Sequence, residues 1–396
     1  MNLFKRQITY LDSASGFGNS SSVHKMGKRA SKILEQARSG IAGSIGAHND
    51  EIIFTGSGSE SIGLAIIGAV YSAKKNILLP HIITSTIEHS AVLNTCKILE
   101  DRGHIEVTYI KPHDNTGILK TEDILNAINE NTVIISIHMV NNEIGIIQDI
   151  NKLLKELNHF KENKYNIKRM HFSSDSYYPY LHIDACQAYP HIDLSNQIKS
   201  GIDIMTFNSN KINGPAGIGA LYKRRSVELS PIYGGGGQEF GLRPGTVSHI
   251  LANSFYLASK IMLKNRENNE KHYVQLKNYF ILGLEKLQKE NDFPFVINSL
   301  DGCIPSIISI SFPYFTGQQF AIELDARNVM VSSKSACNNA DGAESYVIKE
   351  IHKSDLLDKD WGTIRISFSP KTIKKDIDKL LFAIKDIIQI YKNVLY

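Results

Sequence analysis

Between Glu51 and about Leu221, short runs of Ile, Val, Thr and Phe alternate with segments whose apolar residues recur every three or four positions. EIIF (51–54), HIITST (81–86), IEVTYI (105–110), VIISIHMV (133–140), LHID (181–184) and IDIMTFN (202–208) read as strands, and GIGALYKR (217–224) adds another. Several are apolar almost throughout, the pattern of strands covered on both faces. AVLNTCKILEDRG (91–103) and TEDILNAINE (121–130) have helical spacing and good caps. The alternation predicts an α/β fold, a mostly parallel sheet with helices on both sides.

A different pattern follows the glycine-rich loop GGGGQEFGLRPGT (234–246). A helix-rich stretch over roughly 248–290 leads into strands at 304–312, 330–335 and 363–369, with a helix at 316–328 between them. The closing helix carries an apolar stripe from Ile373 through Ile377, Leu380, Ile384 and Ile388 to Tyr391. This predicts a large α/β domain over 1–255 and a small α+β domain over 256–396, the extreme N-terminus being free to pack on the latter. The polar, tyrosine-rich stretch 161–180 reads as an exposed loop, longer than such connections usually are.

Composition narrows the function classes. A hydrophobic content of 42% and a charged content of 21% are those of an ordinary globular protein. A net charge of +4 is slight for 396 residues and argues against direct nucleic-acid binding. No apolar run approaches the ~20 residues that span a bilayer, and MNLFKRQITYLDSAS has no signal-peptide core, so a cytoplasmic location with no membrane contact is expected. Cys96, Cys186, Cys303 and Cys337 show no CxxC spacing, which speaks for a reducing compartment and against a metal site.

The candidate chemistry sits between His182 and Gly219. Asp184 ends one apolar run, and Lys211 lies just past the next, among Asn208, Asn210, Asn213, Gly214 and Pro215. Pyridoxal phosphate (PLP) needs such a pair: an amine to hold its aldehyde as an imine and a carboxylate to keep the pyridine nitrogen protonated. Asn208 and Asn210 can each donate to a phosphate. TGSGSES (55–61), between a strand and a helix, offers hydroxyls and backbone N–H groups to an anion, and a capping turn with Ser57 and Glu60 occupies the same place. His89 begins a helix where a ring could cover the pyridine face and move protons. Cys337 stands in the polar stretch VSSKSACNNADGAES, where nearby Lys334 favours a thiolate. Arg365, inside an apolar strand, should meet a carboxylate of the protein or of a substrate.

Together the motifs resemble the cysteine desulfurases of the NifS/IscS type, fold-type I PLP enzymes of the class V aminotransferase group. The match covers nearly the whole chain: YLDSAS (10–15), GNSSSVH (18–24), FTGSGSES (54–61), IEHSAVL (87–93), HMVNNEIG (138–145), HIDACQ (182–187), KINGPAGIGALY (211–222), GGGQEFGLRPGT (235–246), VSSKSAC (331–337) and IRISFS (364–369). The resemblance implies that Lys211 carries the cofactor, Asp184 pairs with its ring nitrogen and His89 stacks on the ring. Gln187 would bond the phenolic oxygen, with Asn142 beside ring and substrate. Gly58, Ser59, Asn208 and Asn210 would hold the phosphate, joined by Thr246 from the second subunit of a homodimer. Arg365 would clamp the carboxylate of L-cysteine, and Cys337 would be the nucleophile that takes its sulfur and passes it to an acceptor protein. The chain departs from the family with Asn208-Ser209-Asn210 where Ser-Gly-His is usual, and with Lys334, Phe240 and Pro244 for glycine, arginine and serine. Another class V reaction, an aminotransferase or a lyase, would use the same core, and a non-catalytic relative acting as a binding partner is the remaining alternative.

Overall fold

The computed structural model describes residues 8–167, 177–333, 345–352 and 361–395. The first sheet has seven strands: β1 (Ile52–Thr55), β2 (His81–Ser85), β3 (Glu106–Ile110), β4 (Thr132–His138), β5 (Tyr180–Asp184), β6 (Ile204–Asn208) and β7 (Gly219–Lys223). Their order is β1-β7-β6-β5-β4-β2-β3. From β6 to β3 every pairing is parallel, whereas β7 runs antiparallel to both β6 and β1. Every residue of β2, β4 and β5 is buried, as their apolar runs require.

Helices cover both faces: α1 (Lys25–Ile45), α2 (Gly58–Ala73), α3 (Ser90–Asp101), α4 (Thr121–Asn126), α5 (Ile150–Tyr165) and α6 (Ser195–Lys199). Two apolar clusters result, one on each side of the sheet. The helix expected over 121–130 is only α4, ending four residues early. Residues 161–165, expected in the long polar loop, are the last turn of α5. There the Lys161 ammonium is buried 3.0 Å from the Asp203 carboxylate, so the helix continues to keep that pair.

The stretch after Ser248 is one helix, α7 (His249–Asn291). Ala252, Phe255 and Met262 on its first half join the core of the large sheet. Tyr273, Leu276, Phe280 and Leu284 on its second half join a separate core. That second core lies under a three-stranded antiparallel sheet in the order β10-β9-β8, built from β8 (Val296–Ile297), β9 (Ile307–Pro313) and β10 (Trp361–Ser367). Around it pack α8 (Gly317–Asp325) and α10 (Lys374–Leu395), the stripe of α10 turned inward at Ile377, Leu380, Ile384 and Ile388. α9 (Tyr346–Ile351) packs instead on Ile87, Ile144 and Ile146 of the first unit. The strand expected over 330–335 is reduced, among the described residues, to a single bridge between Ser332 and Arg365. No helix among the described residues is long and apolar enough to cross a membrane.

Candidate active site

In an open, mostly parallel sheet, ligands bind outside the carboxyl ends of the strands. Here β2, β4, β5 and β6 deliver His89, Asn142, Asp184 and Lys211 to that edge, each within a few residues of its strand's end. His89 is held as the N-cap of α3, its Nδ1 accepting the Ala91 N–H at 3.1 Å. Asn142 is presented by a turn that Asn141 builds: the Asn141 amide donates to the Ile87 carbonyl at 3.0 Å and accepts the N–H groups of Glu143 and Ile144. Asp184 is 8% exposed, and its Oδ1 accepts the Cys186 N–H at 2.9 Å. Lys211 lies in a 3₁₀ turn, Ser209–Ile212, which closes on Asn213 at φ 60° and on a bond from the Gly214 N–H to the Ser209 carbonyl.

These side chains line one inner cavity with Gly58, Ser59, Gln187, Asn208 and Arg365. At its floor Ser57 caps α2, accepting the Glu60 N–H at 3.1 Å. Glu60 does not complete a capping box. Its carboxylate accepts the Gly56 N–H at 2.6 Å and pairs with Arg243 at 2.8 Å, tying this turn to the glycine-rich segment. A Cβ on Gly58 would stand 3.1 Å from Cys186 Sγ and 3.2 Å from the Asn208 side chain, so any larger residue would press on both side chains and narrow this corner. Burial lowers the His89 pKa against the opposing pull of Asp184, and the ring is neutral at pH 7.

Arg365 reaches the same cavity from β10, donating from Nη1 to the Asn142 carbonyl at 2.8 Å and from Nη2 to Ser332 Oγ at 3.2 Å. An outer cavity of about 630 Å³ adjoins the inner one and shares Asn142, Gln187, Lys211 and Arg365 with it. Asn210 lines the outer cavity and not the inner one, while Thr246 is exposed and lines neither. Cys337 and Lys334 lie outside the described residues.

Sequence reasoning passed over two inner-cavity residues, His138 and Cys186. His138 pairs in register with Asp184 across β4 and β5. Its Nδ1 is 3.0 Å from Glu88 Oε2, close enough for an ionic contact though without hydrogen-bond alignment. Glu88, itself fully buried, also accepts the His138 N–H at 2.7 Å. A histidine inside the apolar run VIISIHMV was the available signal. Cys186 is kept a thiol: burial, then neighbouring Asp184, pushes its pKa well above the ordinary value.

An amine, a buried carboxylate, a neutral imidazole, amides, and hydroxyl and N–H donors at a helix start meet in one cavity with a corner that a Cβ would fill. This donor set fits a phosphorylated pyridine aldehyde. The family model for class-V aminotransferases matches residues 3–380. The chain is 33% identical over 378 residues to the cysteine desulfurase IscS of Dictyoglomus turgidum, covering 96% of this chain and 89% of that protein. A solved NifS-like protein superposes with a TM-score of 0.80 at 28% identity, over 94% of this chain and 92% of that one. A structure of SspA in complex with cysteine gives 0.70 at 32% identity, over 91% and 93%.

Proposed function

The chain belongs to the class-V aminotransferase family, on its cysteine desulfurase branch, and from that premise we propose that it removes sulfur from L-cysteine, leaving L-alanine and a persulfide on Cys337. The observation that carries the proposal is the inner cavity, where Lys211, Asp184, His89 and Arg365 face a common space. PLP, when bound there, supplies an electron sink for bond breaking at the amino acid's α-carbon.

The side chains divide the remaining work. Lys211 would hold the cofactor's aldehyde carbon, and its amine, when free, would move the substrate's α-proton. Asp184 would hold a proton on the ring nitrogen, Gln187 would bond the phenolic oxygen, and neutral His89 would cover the ring and be free to accept a proton. Gly58, Ser59 and Asn208 hold the phosphate at the start of α2. Asn210, and Thr246 from a second copy in a homodimer, complete that shell. Arg365 takes the substrate carboxylate as a two-pronged donor, with Asn142 beside it. The Cys337 thiolate would attack the substrate sulfur: a sulfur–sulfur bond forms, the substrate carbon–sulfur bond breaks, and its electron pair stays on the carbon, which takes a proton to become the methyl of alanine. The three described cysteines are held as thiols: burial raises Cys96 to about 12, Cys303 to about 11, and Cys186 well above its ordinary value. The resemblance of VSSKSAC (331–337) to the desulfurase motif supports Cys337 as the nucleophile, on the C-terminal part of the chain from about residue 256, which we read as the small domain. The persulfide passes its sulfur to an acceptor, in the cytoplasm.

The test is to incubate PLP-loaded protein with L-cysteine and a reductant and to measure alanine and sulfide in equal amounts. Lys211→Ala should abolish both products and the visible absorbance of the tethered cofactor. Cys337→Ser should lose both products and keep that absorbance. A Cys337→Ser protein as active as the parent would end the nucleophile assignment.

A further inference from the structure

The outer cavity is larger than one cysteine needs. At about 630 Å³ it falls within the range of sites for whole small molecules. Its basic lining residues are Lys211, Arg365 and Arg266, with His191 beside them, and among the described residues no aspartate or glutamate lines it. Lys211 and Arg365 also line the inner cavity, where the proposed reaction uses them for cofactor and substrate. Arg266 is not shared with the inner cavity.

Arg266 lies on α7, half-buried, and its bonds are weak for a guanidinium. Nη2 donates to the Tyr189 carbonyl at 3.3 Å and lies 3.9 Å from Met262 Sδ, while buried Nε has no hydrogen-bond partner among the described residues. No carboxylate among the described residues comes within salt-bridge distance of it. Asp193, which draws on it electrostatically, has its Oδ1 engaged by the Ser195 N–H, and Glu270, one turn along α7, is 3.2 Å from His191. A desolvated guanidinium with an open N–H is costly unless an anion completes it. Asn265 and Asn269 stand on the same helix and line the same cavity; the Asn265 amide donates one N–H to the Ile261 carbonyl at 2.8 Å and has a second to offer beside the charge.

We propose that Arg266 marks a second carboxylate-binding subsite, occupied by a small thiol that bears a carboxylate and takes sulfur from the enzyme. This rests on the desulfurase reading for its purpose but not for its binding. In the transfer, the acceptor's thiolate attacks the outer sulfur of the Cys337 persulfide. A new S–S bond forms on the acceptor, the Cys337–sulfur bond breaks, and Cys337 leaves with the electron pair as a thiolate. No external oxidant enters. Arg266 takes no part in bond making; it fixes the acceptor's carboxylate.

The experiment is calorimetric titration of the PLP-loaded protein with 3-mercaptopropionate, under saturating L-alanine to occupy Arg365, with 1-propanethiol as the probe that lacks the carboxylate. The parent should bind 3-mercaptopropionate at least tenfold more tightly than 1-propanethiol. Arg266→Met should weaken the acid roughly tenfold or more, the scale of a charge-assisted hydrogen bond, and leave the thiol unchanged. Arg266→Lys, which keeps the charge, should recover part of the loss and controls for misfolding. Equal binding of the two probes by the parent, or a methionine variant that binds the acid like the parent, overturns the subsite. A parent that makes no alanine from L-cysteine would instead refute the desulfurase reading, and the binding of the two probes would still decide the subsite.

Discussion

Removing the carboxylate of Glu239 should destabilise the fold by more than any single surface change. Arg38 of α1 and Glu239 form a two-pronged pair, Nη1 to Oε2 and Nη2 to Oε1, both at 2.7 Å, with side-chain exposures of 4% and 2%. Arg38 Nη1 also donates to the Ile52 carbonyl, and Glu239 Oε2 accepts the Phe54 N–H, each at 2.7 Å. Burial alone would lower the Arg38 pKa, yet Glu239 and then Glu35 together outweigh it and the net direction is upward. Glu239 and Phe240 sit at φ 47° and 59°, and the pair holds this unfavourable backbone in place. Glu239→Ala leaves the buried guanidinium with only the half-exposed Glu35 carboxylate, 3.1 Å from Nε, and leaves the Phe54 amide without its acceptor, so the loss should be about 3 kcal/mol. Arg38→Met should cost a similar amount, and the Arg38→Met/Glu239→Ala protein should cost less than the sum of the two single losses by about 2 kcal/mol. Urea unfolding of the four holoproteins, followed by circular dichroism, measures these differences. A Glu239→Ala loss below about 1 kcal/mol, or strictly additive costs, would refute the argument. The same variants should release PLP more readily, because the segment held by Glu239 also carries Arg243, the partner of Glu60 at the start of α2.

Three further outcomes follow from the site and the sheet beneath it. Arg365→Lys should raise the KM for L-cysteine by at least about tenfold while leaving the bound-cofactor spectrum intact, since lysine cannot make the two-pronged contact; an unchanged KM removes Arg365 from substrate binding. Gly58→Ala should weaken PLP binding roughly tenfold through the contact with Cys186 Sγ, and adding Cys186→Ala should restore part of it; spectrophotometric titration of the apoprotein decides. His182 is buried between the hydroxyls of Ser136 and Thr206, and burial drops its pKa to about 4. The unfolded chain therefore takes up that proton first as the solution is acidified. Its contribution is fully present above pH ~6.5 and is lost toward pH ~4, by on the order of 3 kcal/mol. His182→Gln should flatten the acid limb of stability against pH, and an unchanged slope would count against this account.

The strands of the large sheet were legible because both faces are covered, leaving continuous apolar runs such as that of β4. Asp184 and Lys211 were legible because polar residues follow those runs where ligands bind. Other features carry no periodic signal. The antiparallel direction of β7 follows from the short return between Asn208 and Gly219, which has no α-helix to carry the chain back for a parallel pairing. MVSSKS has strand-like residues, but Ser332 exchanges both its backbone bonds with Arg365 and the described pairing ends there. Arg266 resembles any charged residue of a long helix until the cavity beside it is seen.

The bridge from Ser332 to Arg365 has a consequence for delivery. Ser332 gives its N–H to the Arg365 carbonyl at 3.1 Å and accepts the Arg365 N–H at 2.6 Å. Cys337 comes five positions after Ser332, and five residues at full stretch reach roughly 18 Å. While that bridge holds, chain length alone keeps Cys337 within that reach of the arginine, so in the proposed reaction its persulfide is offered there. A recipient must come to the enzyme's doorstep to collect.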